Sequence, residues 1–378
     1  MHQHRTTLLL AVLAFGMLFA CRKDGKTVPP GEREILLGAS FPLTGDNASY
    51  GTDARRGIDL AVEEINAAPD RKFRIAVKYE DDRVDPKIGV MNMEKLTSVD
   101  KVPLVFGSAG SNVTLAMAPV ANRTRTVLLS PISSAPQITD AGPFVFRTCP
   151  SDAAQAEVVA EWVLAKGYKN IGILFVNNSW GVGLKDAFVR VLTNKGGTVV
   201  AVESSNETDP DFRSQLTRLK ASSADALYMP TYSKQGGRIL VQARELGLTQ
   251  PIFGADTWGA PELIGTAGQA AEGVMFVVPE EFNGPRYQSF RQAFVAKYGV
   301  EPDFNASSAY DAAHVAALAI RRVIDDGKEV TGEAIAAALG AVQFAGATGL
   351  TRFDQNGDVV GKAFGRRVFK EGRAVPTE

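Results

Sequence analysis

Two clusters of small and hydroxyl-bearing residues follow short apolar segments in the stretch from Val102 to Pro136. The first cluster, residues 107–111, leads into an apolar helical pattern, and the second runs from Ser130 to Ser134. We expect Ser111 to cap that helix, whose other free N–H groups and positive dipole end then face outward. Such a helix end binds anions, and a carboxylate suits it. The two clusters therefore predict a site that holds a small polar molecule.

The composition argues against several other kinds of site. The 378 residues carry a net charge of −1, so no basic face for nucleic acid is indicated. Of the three histidines, only His314 lies in the body of the chain, which supplies a metal cluster or a histidine-based catalytic set poorly. No nucleophile elbow and no phosphate-binding Walker loop occurs. We therefore expect no catalytic residue, no metal and no cofactor.

The elements that must position the two clusters alternate between strand and helix. Strands are predicted at residues 35–41 and 73–79, with a helix at residues 50–66 between them. This alternation predicts βα units and a largely parallel sheet that is covered on both faces. A connecting segment at residues 144–151 interrupts the pattern, which then resumes. The sequence thus predicts an α/β fold built in two halves.

The N-terminus predicts export from the cytoplasm. Arg5 precedes an apolar run at residues 8–20 that is too short for a typical membrane span but fits a signal peptide. The run ends in Leu-Phe-Ala-Cys, which resembles the processing box of bacterial lipoproteins. This resemblance implies a signal peptide at residues 1–20 and a lipid-modified Cys21. The alternative is an ordinary secretory signal with an incidental cysteine. Residues 21–32 are polar and contain Pro and Gly, so we expect a flexible tether there.

Eight short motifs are distributed over nearly the whole chain after the tether. They are Gly38-Ala-Ser-Phe-Pro-Leu-Thr-Gly45, Tyr50-Gly51, Gly57-Ile-Asp-Leu-Ala-Val-Glu-Glu-Ile-Asn66, Tyr79-Glu-Asp-Asp82, Asp85-Pro86, Ser130-Pro-Ile-Ser-Ser-Ala-Pro136, Phe146-Arg-Thr148 and Phe353-Asp-Gln-Asn-Gly-Asp358. In order and spacing they resemble the solute-binding proteins of ABC-type branched-chain (Leu/Ile/Val-type) amino acid uptake. We therefore expect the chain to share the fold and the binding mode of that family.

The resemblance implies the type I periplasmic binding protein fold. That fold has two Rossmann-like α/β lobes with largely parallel sheets, joined by a three-strand hinge, and the ligand lies in the cleft between the lobes. The resemblance places residues 33–147 and 280–364 in lobe 1. It places residues 148–279 and 365–378 in lobe 2. The lobes close around the ligand by hinge motion.

The resemblance also implies which residues grip the backbone of an amino acid. In the family, one lobe holds the α-carboxylate with a helix N-terminus and hydroxyl groups. Ser111 and Ser134 match those positions, and Ile132 matches a position that offers a carbonyl to the amine. Ser133 is the neighbouring candidate in the same cluster. The alternatives are a plain helix cap for Ser111 and a turn for Ser133 and Ser134.

Three aromatic residues and one acid complete the expected site. Tyr50 matches an aromatic that lines the cleft, although a core residue is the alternative. Trp180 and Tyr232 match lid positions, and Tyr232 could instead pack within its own lobe. Asp256 matches the acid that pairs with the ligand ammonium, against the alternative of a solvated loop acid or helix cap. Asn305 replaces an apolar residue that often lines the side-chain pocket, so a polar amino acid, an amide or another small acid stays open.

The function that the resemblance implies is capture of a small solute outside the cytoplasm. We expect a monomeric, periplasmic and lipid-anchored binding protein that delivers an amino acid to the permease subunits of an ABC importer. A ligand-sensing subunit for a membrane receptor is an alternative that the chain itself does not separate. An α/β enzyme such as a hydrolase is disfavoured, because His314 stands alone in an Ala-rich helical pattern and no nucleophile motif is present.

Overall fold

The computed structural model describes residues 33–280 and 283–378. The first part alternates strand and helix: β1 (Arg33–Phe41), α1 (Ala48–Ala67), β2 (Phe73–Asp81), α2 (Pro86–Glu94), β3 (Leu104–Gly107), α3 (Ser111–Thr124), β4 (Val127–Ser130) and β5 (Val145–Arg147). Its five strands form a parallel sheet in the order β2-β1-β3-β4-β5. Alternate residues of β3 lie in two different hydrophobic cores. Phe106 lies in one core and Val105 lies in the other. This sheet is therefore buried on both faces.

The middle of the chain repeats the same unit around a second sheet. Its elements are α4 (Asp152–Ala165), β6 (Asn170–Val176), α5 (Ser179–Asn194), β7 (Thr198–Ser205), α6 (Arg213–Ala221), β8 (Ala226–Met229), α7 (Ser233–Glu245), β9 (Ile252–Gly254), α8 (Pro261–Ala267) and β10 (Met275–Pro279). Two hydrophobic cores cover the two faces of this sheet, with Tyr228 in one core and Leu227 in the other.

The last part of the chain packs helices on the first sheet and adds strands to the second. Its elements are α9 (Pro285–Tyr298), α10 (Phe304–Asp325), α11 (Gly332–Leu339), β11 (Gln343–Gly346), β12 (Gly349–Arg352), β13 (Phe364–Lys370) and β14 (Arg373–Pro376). Helices α9 to α11 pack on the first sheet, where Phe290, Ile320 and Ile335 share a core with Leu37. Strands β13 and β14 run antiparallel at the edge of the second sheet, whose order is β14-β13-β10-β9-β8-β6-β7. The chain thus passes between the sheets three times.

The order of the strands creates a crevice at one end of the first sheet. Strands β2 and β3 lie on opposite sides of β1, so the loops that follow β1 and β3 diverge there. Open parallel sheets bind their ligands at this kind of switch point, outside the carboxyl ends of the strands. Ser108 and Ser111 follow β3, and the cluster at residues 130–134 follows β4. The fold therefore brings both hydroxyl clusters to the same edge.

The predicted α/β fold class is confirmed, with both large sheets mainly parallel. Strands β1 and β2 and helix α1 agree within two residues at each end with the predicted strands at residues 35–41 and 73–79 and the predicted helix at residues 50–66, whereas helices α8 and α11, the β11–β12 hairpin and strand β14 were not predicted. Within the ranges that the structure describes, no helix is both long and apolar enough to cross a membrane. The predicted signal peptide, Cys21 and the tether at residues 21–32 lie outside the described residues.

Candidate functional site

A cavity of about 340 Å³ is lined mainly by residues of the loops and helices that follow strands of the first and the second sheet. This volume lies within the range of small-molecule sites in proteins. Seven of the eight predicted site residues line it: Tyr50, Ser111, Ile132, Ser134, Trp180, Tyr232 and Asp256. They follow strands β1, β3, β4, β6, β8 and β9, which are far apart in sequence. Tyr50, Ser111 and Trp180 lie in the first turn of helices α1, α3 and α5, and the others lie in the connecting segments. The fold thus assembles the predicted residues around one space, with Ser133 as the exception.

The start of helix α3 forms one end of the cavity wall. Gly110, and not Ser111, is the N-cap residue, so the predicted capping role of Ser111 is wrong. The Ser108 hydroxyl instead accepts the Gly110 N–H at 3.3 Å. The Ser111 Oγ accepts the N–H of Ala135 at 3.2 Å. Because that bond uses a lone pair, the hydroxyl proton of Ser111 stays available to a ligand acceptor.

In the second hydroxyl cluster, one serine has a structural role and its neighbour lines the cavity. Ser133 is fully buried, donates to the carbonyl of Ser108 at 2.8 Å and bonds the Thr114 hydroxyl at 2.7 Å. Those bonds tie the loop to α3 and leave Ser133 off the cavity wall. Ser134 and Ile132 do line the cavity, and the Ser134 Oγ lies 3.0 Å from Asp152 Oδ2. Neighbouring serines therefore have different surroundings.

Three aromatic rings form a continuous wall. Trp180 and Tyr232 stack with their ring centroids 5.2 Å apart, and Tyr50 lies 6.2 Å from Tyr232. The Tyr50 hydroxyl bonds the Ser233 Oγ at 3.0 Å, and the Tyr232 hydroxyl accepts from Asn178 Nδ2 at 2.9 Å. Burial raises the pKa of the Tyr50 hydroxyl, which therefore stays neutral. With both tyrosine hydroxyls hydrogen-bonded to protein, this wall offers mainly apolar ring faces.

The carboxyl group of Asp256 is the sharpest electrostatic feature of the cavity. Its Oδ1 is inaccessible to solvent and has no hydrogen-bond partner among the described residues. Its backbone N–H donates to Gln155 Oε1 at 2.9 Å, which fixes the residue at the end of β9. Burial raises the pKa of this carboxyl to about 6. A cationic donor would satisfy the free oxygen and stabilise the ionised form.

Acidic and amide groups extend along another part of the wall. Asp303, the N-cap residue of α10, accepts from the backbone N–H of Ala306 at 2.8 Å and from Asn305 Nδ2 at 2.6 Å. Burial raises the pKa of the Asp303 carboxyl to about 7. Both Asp303 and Asn305 line the cavity, and none of its described lining residues is Lys or Arg. The electrostatic balance of the cavity therefore favours cationic and hydrogen-bond-donating groups.

Two buried polar residues of α4, Asp152 and Gln155, were missed. Gln155 Nε2 donates to Asp152 Oδ1 at 2.7 Å, and Gln155 Oε1 holds the backbone of Asp256. In the sequence they stand at the N-terminus of a helical pattern, where polar residues are common caps, so no local signal distinguishes them. They connect the Ser134 loop of the first sheet with Asp256 of the second.

His314 lies apart from the cavity. It bonds Arg286, stacks on Phe344 and approaches Glu64 at 3.4 Å. Cys149 does line the cavity, but its buried thiol donates to the carbonyl of Ser133 at 3.2 Å, and burial raises its pKa to about 12. Across residues 33–280 and 283–378, no group of His, Cys, Asp and Glu side chains has the arrangement of a metal site.

Comparison with known proteins also indicates a solute-binding protein. A sequence model described as periplasmic binding protein matches residues 34–373. The Leu/Ile/Val-binding protein BraC3 of Rhizobium johnstonii is 29% identical, over 99% of this chain and 98% of that protein. The leucine-binding protein LivK of Thermotoga maritima is 28% identical with a TM-score of 0.83, covering 91% of this chain and 98% of that one.

A second solved structure carries a ligand. It is the branched-chain amino acid transporter substrate-binding protein LivJ of Streptococcus pneumoniae, in complex with isoleucine. It is 28% identical, with a TM-score of 0.80, and the match covers 90% of this chain and 98% of that chain. The similarity to these proteins extends over both sheets and is not confined to one half.

Proposed function

The chain belongs to the periplasmic binding protein family, and from this premise we propose that it binds an amino acid in the cavity and delivers it to an ABC importer. Members of this family bind solutes and are not enzymes. The observation that carries the proposal is the Asp256 carboxyl group: the residue lines the same cavity as the start of α3, and its buried Oδ1 has no hydrogen-bond partner among the described residues. An unsatisfied buried polar group costs about 1–3 kcal/mol. A ligand ammonium removes that cost.

The two ends of an amino acid backbone fit two different parts of this wall. The α-carboxylate is assigned to the start of α3 and to the hydroxyls of Ser111 and Ser134, where a helix N-terminus favours negative charge. The ammonium is assigned to Asp256, with the carbonyl of Ile132 as a further acceptor. These assignments rest on the residues that line the cavity and on the hydrogen-bonding capacity that each has left.

The rest of the solute meets both apolar and polar surfaces. The stacked rings of Trp180 and Tyr232, together with Tyr50, suit an aliphatic or other apolar side chain. Asp303 and Asn305 suit a side chain that donates hydrogen bonds. Leucine and isoleucine are the first solutes to test, because the related binding proteins are named for them. Polar amino acids and amides are the next class.

Closure of two lobes around the solute is the proposed mode of action. We assign lobe 1 to residues 33–147 and 280–364, and lobe 2 to residues 148–279 and 365–378. The bond between Tyr50 and Ser233 and the ion pair between Asp46 and Lys234 at 2.5 Å would join the lobes in the closed form. A solute that touches both lobes binds the closed form more tightly and therefore shifts the open–closed equilibrium.

A thermal-shift screen tests the binding function. The purified chain without residues 1–32 is heated with each common amino acid, with short amides and with small carboxylates. A solute at about 100 times its dissociation constant should add roughly 2.7 kcal/mol to the free energy of unfolding. We expect the shift to be confined to one class of amino acid. A shift only with solutes that lack an amine would contradict the role of Asp256, and no shift with any solute would contradict the function.

The anchor is proposed from the sequence of the N-terminus. The family acts outside the cytoplasm, and a lipid on Cys21 with a tether at residues 21–32 would hold this member at the membrane next to its permease. Intact-mass measurement of the mature protein should give a lipid-modified N-terminus at Cys21. A mature chain that begins further along would contradict the anchor.

We also propose that the protein is a monomer. Sedimentation equilibrium checks this proposal, because a monomer gives the mass of one chain.

A further inference from the structure

Asp152 is a carboxylic acid buried between the two halves of the site. It is the first residue of α4, and none of its surface is exposed. Its backbone N–H donates to the carbonyl of Ser134 at 2.8 Å, and its Oδ2 lies 3.0 Å from the Ser134 Oγ. Its Oδ1 accepts from Gln155, which also holds the backbone of Asp256. Asp152 therefore lies behind the cavity wall, where it bonds Ser134 at the proposed carboxylate end and is linked through Gln155 to Asp256 at the proposed ammonium end.

No cation among the described residues forms an ion pair with Asp152, although the charge of Arg147 nearby favours its ionised form. The nearby guanidinium of Arg147 donates from Nε and Nη2 to Asp358, both at 2.7 Å. Its Nη1 donates to the carbonyls of Ser134 and Ala135 at 2.9 and 2.8 Å. The Arg147 charge is thus paired with Asp358 and its donors are used. A buried carboxylate without its own cation is strongly disfavoured relative to the neutral acid.

A second carboxyl group makes ionisation of Asp152 still less favourable. The Gln155 amide bonds both the Asp152 carboxyl and the backbone of Asp256, and the nearby charge of Asp256 opposes the ionisation of Asp152. Burial and the charge of Asp256 raise the pKa of Asp152 well above its usual range. Burial also raises the pKa of the Asp256 carboxyl, to about 6.

The other titratable groups around Asp152 supply no cation. Burial raises the pKa of the Cys149 thiol and of the hydroxyls of Tyr228 and Tyr232, so all three stay neutral. Lys362 donates to the carbonyl of Thr148 and to the Thr348 hydroxyl, and it makes no ion pair with Asp152 among the described residues. Hydrogen bonds from Ser134 and Gln155 and the charge of Arg147 favour the ionised form of Asp152, but burial and the charge of Asp256 outweigh them and favour the neutral acid.

We propose that Asp152 is protonated in the binding-competent protein and donates its proton to Ser134, so that the Ser134 hydroxyl donates in turn to the carboxylate of the solute. A hydroxyl has one proton to give. If Asp152 were ionised, Ser134 would donate to it and would present only lone pairs to the cavity, which repel a carboxylate. Asp152 is therefore a positioning residue that sets the direction of the Ser134 hydrogen bond. The solute part of this inference rests on the proposed function.

The isosteric variant Asp152→Asn separates the neutral acid from the carboxylate. The asparagine amide can donate to Ser134 and accept from Gln155, as the neutral acid does. We expect Asp152→Asn to bind the solute found in the screen within about threefold of wild type, whereas Ser134→Ala should lose about tenfold or more. The pH at which Asp256 protonation weakens binding should be the same in Asp152→Asn and wild type. A tenfold loss in Asp152→Asn, or a shift of that midpoint to lower pH, would overturn the proposal.

An infrared measurement tests the protonation state without any solute. With carbon-13-labelled aspartate at pH 7.5, the difference spectrum of wild type minus Asp152→Asn should contain the C=O band of a neutral carboxylic acid. The same band should shift in Ser134→Ala, because Asp152 loses one hydrogen bond in that variant. This shift provides the test if Asp152→Asn does not fold. Absence of the band overturns the inference. Its presence in a protein that binds no amino acid would leave the proton on Asp152 and contradict the proposed function alone.

Discussion

Replacing Asp256 with asparagine is expected to weaken the binding of an amino acid by about 30-fold or more, because removing one partner of a buried charge pair costs about 2–5 kcal/mol. The variant keeps the shape of the side chain and removes only the charge that faces the cavity. Its Oδ1 has no other partner among the described residues, so no protein group replaces the lost interaction. Isothermal titration calorimetry of both proteins with the same solute measures the effect.

Two controls separate this effect from general damage to the site. The solute without its amine should bind wild type and Asp256→Asn about equally, because it makes no ion pair with residue 256. Asp186→Asn removes an exposed carboxylate from the same half of the chain and should bind the amino acid like wild type. If Asp256→Asn binds the amino acid as tightly as wild type, Asp256 does not hold the ammonium.

Acidification is expected to weaken the binding of an amino acid through the same carboxyl group. Burial raises the pKa of Asp256 to about 6 in the free protein. Below that pH the carboxyl gains a proton and loses the charge that pairs with the ammonium, so affinity falls as the pH falls. The dissociation constant should rise about tenfold between pH 7.5 and pH 5, since each pH unit below the pKa reduces the ionised fraction about tenfold. Titrations across this range measure it.

The variant without the charge provides the control for this pH dependence. In Asp256→Asn the dissociation constant should change little between pH 7.5 and pH 5, although it is high throughout. Asp303, whose pKa burial raises to about 7, is the other lining acid that titrates in this range. Asp303→Asn should retain the loss of affinity at low pH. An equal loss in Asp256→Asn would assign the pH dependence to another group.

The main elements could be predicted because their patterns are local. Strands such as β8, at residues 226–229, are apolar runs between polar segments, and in the fold they are buried on both faces. Helix α11 is different, since its short Ala-rich segment is stabilised when Ile335 and Leu339 enter a core supplied by the first sheet. The β11–β12 hairpin is likewise a separate two-stranded sheet, in which β11 and β12 pair only with each other. Elements that depend on distant packing leave a weak sequence signal.

The site residues were predicted mainly through the resemblance to a known family, whose positions they match one by one. Asp256 and Trp180 follow strands, and both line the cavity. The cap assigned to Ser111 is wrong because the local rule competes with a distant partner, the N–H of Ala135, which occupies its hydroxyl oxygen. Ser133 and Ser134 stand in an irregular loop, where no periodicity tells which one faces the cavity. The Asp152 and Gln155 pair depends on contacts between the two halves, which no local pattern contains.

Isothermal titration of the chain without residues 1–32 tests the central claim most directly. Leucine, isoleucine and the strongest solute from the screen are titrated in turn, and the solute is recovered afterwards for mass analysis. We predict saturable binding of one solute per chain for at least one amino acid, with the recovered solute chemically unchanged. Absence of saturable binding for every amino acid, or conversion of the recovered solute into a product, would contradict the account.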